Sequence, residues 1–128
     1  MDREVRFELL RPSQLIAERQ RCPLVFLPLG PLEWHGPHLP VGTDPIVAHQ
    51  VSLRLAREVG GVALPPLFVG TERERSPQML RNIGFEGDEY IVGMDFPGLP
   101  MHSLYLPEEV LAVVVRAYLG VLVRRGTG

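Results

Sequence analysis

The chain has 128 residues, of which 45% are hydrophobic and 22% charged, and these values predict one globular domain over residues 1–128. A formal net charge of −2 gives no electrostatic basis for binding nucleic acid or an anionic membrane surface. The single cysteine excludes an internal disulfide, and the charged N-terminus lacks the apolar segment of a signal peptide, so we expect a cytoplasmic protein.

The N-terminal segment predicts one short helix. Residues Phe7–Leu10 are expected to be extended. Ser13 is a suitable N-cap for a helix that begins near Gln14 and ends by Arg21, because Pro23 cannot continue it.

The next segment predicts a β–α–β unit. The run Leu24–Leu29 is apolar on both faces, which is typical of a buried parallel strand. Asp44 and Pro45 are expected to be the N-cap and first residue of a helix that runs to Val59 and ends at a pair of glycines. A second apolar strand, Val62–Leu67, completes the unit.

The second half of the chain is less regular. Phe68–Leu106 predicts long loops, with a helical turn over Ser76–Arg81. Pro107 begins a last helix whose body, Val110–Val123, is apolar nearly all round, and Arg124–Gly126 should end it. Such a helix should be covered on more than one side, but it is too short to cross a bilayer. A parallel α/β domain would continue into a third strand, and none follows.

Potential metal ligands are concentrated in the loop between the two predicted strands. Glu33, His35, His38 and Asp44 lie within twelve residues, among glycines and prolines that hold irregular backbone. Glu33 and His35 are two residues apart, so in extended chain both point to the same face. Zinc, manganese, iron and nickel suit such mixed oxygen and nitrogen ligands, and calcium and magnesium suit them less.

The same residues also allow a reading without a metal. Asp44 before Pro45 is a good N-cap by itself, and Glu33 could be a surface carboxylate. His35 and His38 could each satisfy carbonyl groups of the loop. Composition and spacing therefore leave the metal site and the structural loop as open alternatives.

Residues 28–44, P-L-G-P-L-E-W-H-G-P-H-L-P-V-G-T-D, closely resemble the signature of the creatinine amidohydrolase (creatininase) family. The resemblance implies an α/β fold, a three-layer sandwich with a mainly parallel sheet. It also implies a metal-dependent hydrolase that opens a cyclic amide or cleaves a related C–N bond through a metal-activated water. Two divalent ions, zinc or manganese and less commonly iron, would be bound. By the same resemblance, Glu33 would ligate one ion, His35 the other, and Asp44 would bridge them, while His38 would support the loop by hydrogen bonds.

Other residues are weaker candidates. Phe96–Gly98 resembles the family's F-P-G-T segment, with Leu99 in place of threonine, and is expected near the substrate pocket. His102 is a less favoured substitute for a further histidine ligand, and His49 is expected to be a polar position on a helix. The family resemblance further implies a small-molecule amide substrate and a homo-oligomer.

Family members run to about twice this length and add a further strand with an N-G-H-x-x-N motif. The chain is therefore expected to correspond to the N-terminal half of such a protein, truncated after the βαβ-loop-α portion. This leaves open whether the chain is an enzyme by itself. The alternative is a truncated, non-catalytic binding or assembly module that uses its apolar last helix.

Overall fold

The structure is a computed structural model that describes residues 2–124. Its regular elements are a 3₁₀ turn (Phe7–Leu9), α1 (Pro12–Arg21), β1 (Val25–Phe26), α2 (Thr43–Val59), β2 (Val62–Ala63), β3 (Glu74–Arg75), α3 (Pro77–Asn82), β4 (Ile91–Val92) and α4 (Glu108–Arg124). Strands β1 and β2 are parallel, and β3 and β4 are antiparallel. The predicted α/β class with a parallel sheet is confirmed.

The parallel sheet is built around β2. One neighbour is β1, and on the other side the Ala63 N–H donates to the Val5 carbonyl at 2.8 Å. The regular strands are shorter than the predicted apolar runs, because the prolines in both runs have no N–H to donate. Parallel pairing resumes at a bridge between Leu29 and Leu67, so the two segments that follow β1 and β2 leave the sheet side by side.

Helix α2 covers one face of this sheet. The core consists of four buried side chains with one partly buried ring against them: Val5, Leu53, Ala56, Ala63 and Phe26. Burying a leucine of this kind contributes about 1.5–3 kcal/mol. The Gly60 N–H donates to the Ala56 carbonyl at 3.1 Å with φ of +106°, so α2 ends at the predicted glycine pair.

Two predictions for the N-terminal segment are wrong. Phe7–Leu9 forms a 3₁₀ turn, because the chain pairs with β2 before this point and turns away after it. Helix α1 begins at Pro12, and Ser13 lies inside its first turn. Proline supplies helical φ at the first position, and the Gln14 side chain accepts the Arg11 N–H at 2.8 Å, which replaces the predicted serine cap.

The region between residues 68 and 106 is mostly irregular, as predicted. Ser76 caps α3 by accepting the Met79 N–H at 3.3 Å, which confirms the predicted start of this helix. The β3–β4 pair was not predicted, because strands of two residues carry no readable periodicity.

Helix α4 lies loosely on the rest of the chain. It contains no buried residue, and its exposed apolar side chains include Val113, Leu119 and Val123. The prediction that it is covered on more than one side is wrong for the chain described. Its predicted ending at residues 125 and 126 lies outside the described residues. Within residues 2–124, no helix has both the length and the apolar character needed to span a bilayer.

Candidate metal centre

The loop that carries the predicted ligands is fixed to the sheet and to α2 at several points. The Gly30 N–H donates to the Leu67 carbonyl at 3.1 Å. A Cβ atom on Gly30 would lie 2.9 Å from the Pro45 nitrogen, so only glycine allows the loop this close to the start of α2. Further along, the Glu33 N–H donates to the Val41 carbonyl at 2.9 Å, which closes the loop on itself.

The structure brings Glu33, His35 and Asp44 together. The His35 Nε2 atom lies 3.2 Å from Glu33 Oε1 and 3.1 Å from Asp44 Oδ2. One nitrogen or oxygen atom from each residue falls within 4.8 Å of the other two. Glu33 and His35 point to the same place, as their spacing of two residues predicted. Asp44 reaches the same place from the start of α2.

Asp44 is not the N-cap of α2, which corrects the sequence prediction. The helix begins at Thr43 with Gly42 as N-cap, and no side chain caps it. Asp44 is therefore inside the first turn, where the positive end of the helix dipole favours a carboxylate. Its side chain interacts with His35. The reading in which Asp44 only caps a helix does not match this structure.

Glu33 is a buried charge in an unfavourable setting. Only 6% of the residue is exposed, and it is one of the two buried polar residues of the described chain. Burial raises the pKa of Glu33, and the neighbouring Asp44 carboxylate raises it further. Two carboxylates that converge in this way are stabilised by a positive charge placed between them.

A tyrosine from the far end of the irregular region contacts the buried carboxylate. The Tyr105 hydroxyl donates to Glu33 Oε2 at 2.5 Å. Burial and this hydrogen bond raise the pKa of Tyr105 to about 12, so the phenol keeps its proton at neutral pH. Leu104 and Leu32 form an antiparallel bridge, which brings the two segments side by side.

The donor set fits a divalent cation. One imidazole and two carboxylates are ligands that zinc, manganese and iron accept, and the three donor atoms are close enough to face one ion or two neighbouring ions. In the described part of the chain, no further His, Cys, Asp or Glu joins this cluster. The cluster therefore offers three atoms that could ligate a metal ion.

The other histidines lie outside the cluster. His38 is exposed and folds over Gly36, and its ring makes no hydrogen bond within the described residues, so the predicted loop support is wrong. His49 lies on α2, and its Nε2 atom is buried with no hydrogen-bond partner among residues 2–124. The side chain of His102 is 95% exposed and lies 3.9 Å from Asp95, away from the ligand cluster.

Sequence reasoning missed Tyr105 and Ser103 as neighbours of the site. The Ser103 hydroxyl accepts the Trp34 N–H at 2.9 Å, and the Ser103 N–H donates to Asp95 Oδ1 at 2.8 Å. Tyr105 and Glu33 are 72 residues apart, and neither segment has a strand pattern that would predict the pairing. No local signal in the sequence could have identified this contact.

The chain matches a family model and a curated relative. A family model described as creatinine amidohydrolase (Creatininase) matches residues 9–127. The 3-dehydro-scyllo-inosose hydrolase of Thermotoga maritima is 27% identical over 66 residues, which are 52% of this chain and 21% of that protein.

Two solved structures share the fold. A crystal structure of creatinine amidohydrolase matches 97% of this chain with a TM-score of 0.70 and 25% identity. A mutant creatininase matches the same share with a TM-score of 0.71 and 24% identity, which supports the fold alone. This chain covers 42% of each solved chain, so it spans less than half the length of these relatives.

Proposed function

The chain belongs to the creatininase family of amidohydrolases, and from this premise we propose that it provides part of the centre of a metal-dependent hydrolase. The proposed reaction is cleavage of a cyclic amide or related C–N bond. The observation that carries the proposal is the convergence of Glu33, His35 and Asp44 at hydrogen-bond distances. The named relatives act on different compounds, creatinine and 3-dehydro-scyllo-inosose, so we propose a bond type and not a substrate.

In this proposal each of the three residues has a separate task. His35 would hold a bound ion through Nε2, Glu33 through Oε1, and Asp44 through its carboxylate at the start of α2. As the family resemblance implies, Asp44 would be the ligand that the two ions share. Zinc or manganese bound there would polarise the amide carbonyl and make a water a stronger nucleophile. The burial of Glu33 keeps solvent away from this side of the centre.

Metal uptake by the purified chain tests the proposal. After treatment with a chelator, the chain should bind Zn²⁺ or Mn²⁺ at micromolar concentration, as measured by calorimetry and elemental analysis. His35→Ala and Asp44→Ala should each weaken binding at least about 100-fold, because a lost direct ligand costs more than the 10–100-fold typical of its supporting residues. His38→Ala and His102→Ala are matched controls that should bind like the unmodified chain, since both residues are exposed.

The outcomes separate clearly. Failure of the unmodified chain to take up either ion at micromolar concentration would overturn the proposed function. Equal losses in the His35 and His38 variants would place the ion somewhere other than the observed cluster. Hydrolysis of creatinine and other cyclic amides, with and without the chelator, then measures whether activity depends on the ion.

A second proposal concerns α4. We propose that the chain assembles with copies of itself through this helix, because Val113, Leu119 and Val123 are exposed to 63%, 49% and 64%. Analytical ultracentrifugation should show an oligomer that Val113→Glu dissociates. A stable monomer over a wide concentration range would contradict this proposal and leave the metal centre unaffected.

A further inference from the structure

Tyr105 contacts one oxygen of the Glu33 carboxylate, and His35 lies beside the other. The Tyr105 hydroxyl donates to Oε2 at 2.5 Å, while Oε1 lies 3.2 Å from His35 Nε2. We propose that Tyr105 is a positioning residue that fixes the Glu33 carboxylate with Oε1 directed into the metal centre. This inference rests on the proposed function, since it assigns Tyr105 a task at that same site.

The need for such a residue follows from the chemistry of a buried glutamate. The last torsion of a glutamate side chain is broad, so the carboxylate plane is not fixed by the chain itself. A short O–H···O⁻ bond to one oxygen selects one orientation of that plane. Glu33 is buried, so water does not provide this bond in place of the phenol.

The hydroxyl of Tyr105 is itself held in one orientation. It accepts the Met94 N–H at 3.0 Å, which occupies an oxygen lone pair and leaves the O–H proton for Glu33. The backbone next to it is fixed because the Leu104 N–H donates to the Leu32 carbonyl at 2.8 Å. The hydrogen bonds therefore run in one direction, from the Met94 N–H to the phenol oxygen and from the phenol O–H to the Glu33 carboxylate.

The chain also leaves space for this hydroxyl. A Cβ atom on Gly93 would lie 2.5 Å from the Tyr105 oxygen, and Gly93 has φ of +55°. Both facts favour glycine at position 93. Gly98 has a similar φ of +80°, but a Cβ atom there would meet nothing within 4 Å. Both glycines have a positive φ, but Gly93 lies beside the Tyr105 hydroxyl and Gly98 does not.

The test is the affinity of the full 128-residue chain for Zn²⁺ and Mn²⁺, with the absorption of bound Co²⁺ as a second readout. Tyr105→Phe should weaken binding by about 10–100-fold, as is typical when a partner of a ligand is removed, and should change the Co²⁺ spectrum. Tyr90→Phe is the matched control. Tyr90 is exposed, so this change should leave both the affinity and the Co²⁺ spectrum unchanged. Thermal unfolding in excess chelator checks that both variants fold without the ion.

Gly93→Ala provides an independent test, because it keeps the hydroxyl and displaces it. It should weaken Zn²⁺ binding by about tenfold, whereas Gly98→Ala should not. Unchanged affinity and spectrum in Tyr105→Phe, or equal effects of the two glycine variants, would overturn the inference. If the unmodified chain binds no ion, the proposed function fails first, and the two failures are thereby told apart.

Discussion

Helices α2 and α4 have the same length, 17 residues each, and opposite surroundings. Helix α2 buries Pro45, Leu53 and Ala56 against the parallel sheet. Helix α4 is richer in apolar residues and buries none in the described chain. Apolar content alone therefore does not predict which helix is buried within the described residues. Helix α2 lies between two paired strands, so both of its ends are tied to the sheet it covers.

The candidate site belongs to the well-packed of these two regions. Asp44 is in the first turn of α2, and the loop with Glu33 and His35 leaves the sheet that α2 covers. Metal ligands must be held within fractions of an ångström, and packed elements do this better than mobile ones. The contrast between the two helices is therefore also a contrast between the region that holds the candidate ligands and a helix whose apolar side chains are exposed within the described residues.

The largest effect that tests this contrast is loss of a core side chain. Leu53→Ala should reduce the free energy of unfolding by about 2–5 kcal/mol, because Leu53 is 5% exposed and its removal leaves a cavity under α2. Leu119→Ala, the matched change in α4, should cost less than about 1 kcal/mol when both changes are made in the dissociated Val113→Glu chain, because Leu119 is 49% exposed within a single chain. Urea unfolding followed by circular dichroism measures both, and similar losses in the Val113→Glu chain would mean that α4 is covered within the single chain.

A smaller effect is expected where α1 joins the packed region. Glu18 Oε1 accepts the Gly61 N–H at 2.7 Å and lies 2.9 Å from Arg3 Nη1 and 2.6 Å from Arg21 Nη2. Glu18→Gln should reduce the free energy of unfolding by about 1–2 kcal/mol at neutral pH, because it weakens charge-assisted hydrogen bonds to partly exposed arginines. Glu58→Gln is the control, since Glu58 pairs with the exposed Arg54 and should change little.

The same residue predicts a dependence on pH. The hydrogen bond from Arg21, and to a lesser degree that from Gly61, lowers the pKa of Glu18 below its ordinary 4.5. A carboxyl with a lowered pKa stabilises the fold fully above the unfolded value, and that stabilisation is lost as the pH falls through the folded value. The difference between Glu18→Gln and the unmodified chain should therefore shrink below about pH 4.5. A difference that stays constant down to pH 2 would contradict this assignment.

The sequence predicted the parts of the fold that depend on neighbouring residues. The β1–α2–β2 order and the end of α2 at Gly60 follow from apolar runs separated by glycine and proline. The convergence of Glu33 and His35 follows from their spacing of two. Asp44 was predicted to lie near them as the N-cap of α2, because aspartate is common at N-caps. In the structure it lies inside the first turn of this helix.

The rest depends on contacts between distant residues. The contact between Tyr105 and Glu33 needs two irregular segments to pair, and their sequences show no periodicity that would indicate it. The surroundings of α4 were also beyond prediction, because an all-round apolar helix indicates that a partner is favourable without identifying one. In both cases the missing information is which surface meets which.

The smallest predicted change in the free energy of unfolding concerns Gly120, an exposed position of α4. A Cβ atom on Gly120 would meet nothing within 4 Å outside its own helix, whereas one on Gly61 would lie 2.4 Å from the Leu24 carbonyl oxygen. In the Val113→Glu chain, in which assembly through α4 is removed, Gly120→Ala should therefore increase the free energy of unfolding by about 0.5–1 kcal/mol, because alanine is the better helix former and gains no clash. Gly61→Ala should destabilise the chain, because Gly61 also has φ of +84°. If Gly120→Ala is destabilising in this background too, another part of the same chain approaches α4 closely, and the contrast between α2 and α4 is contradicted.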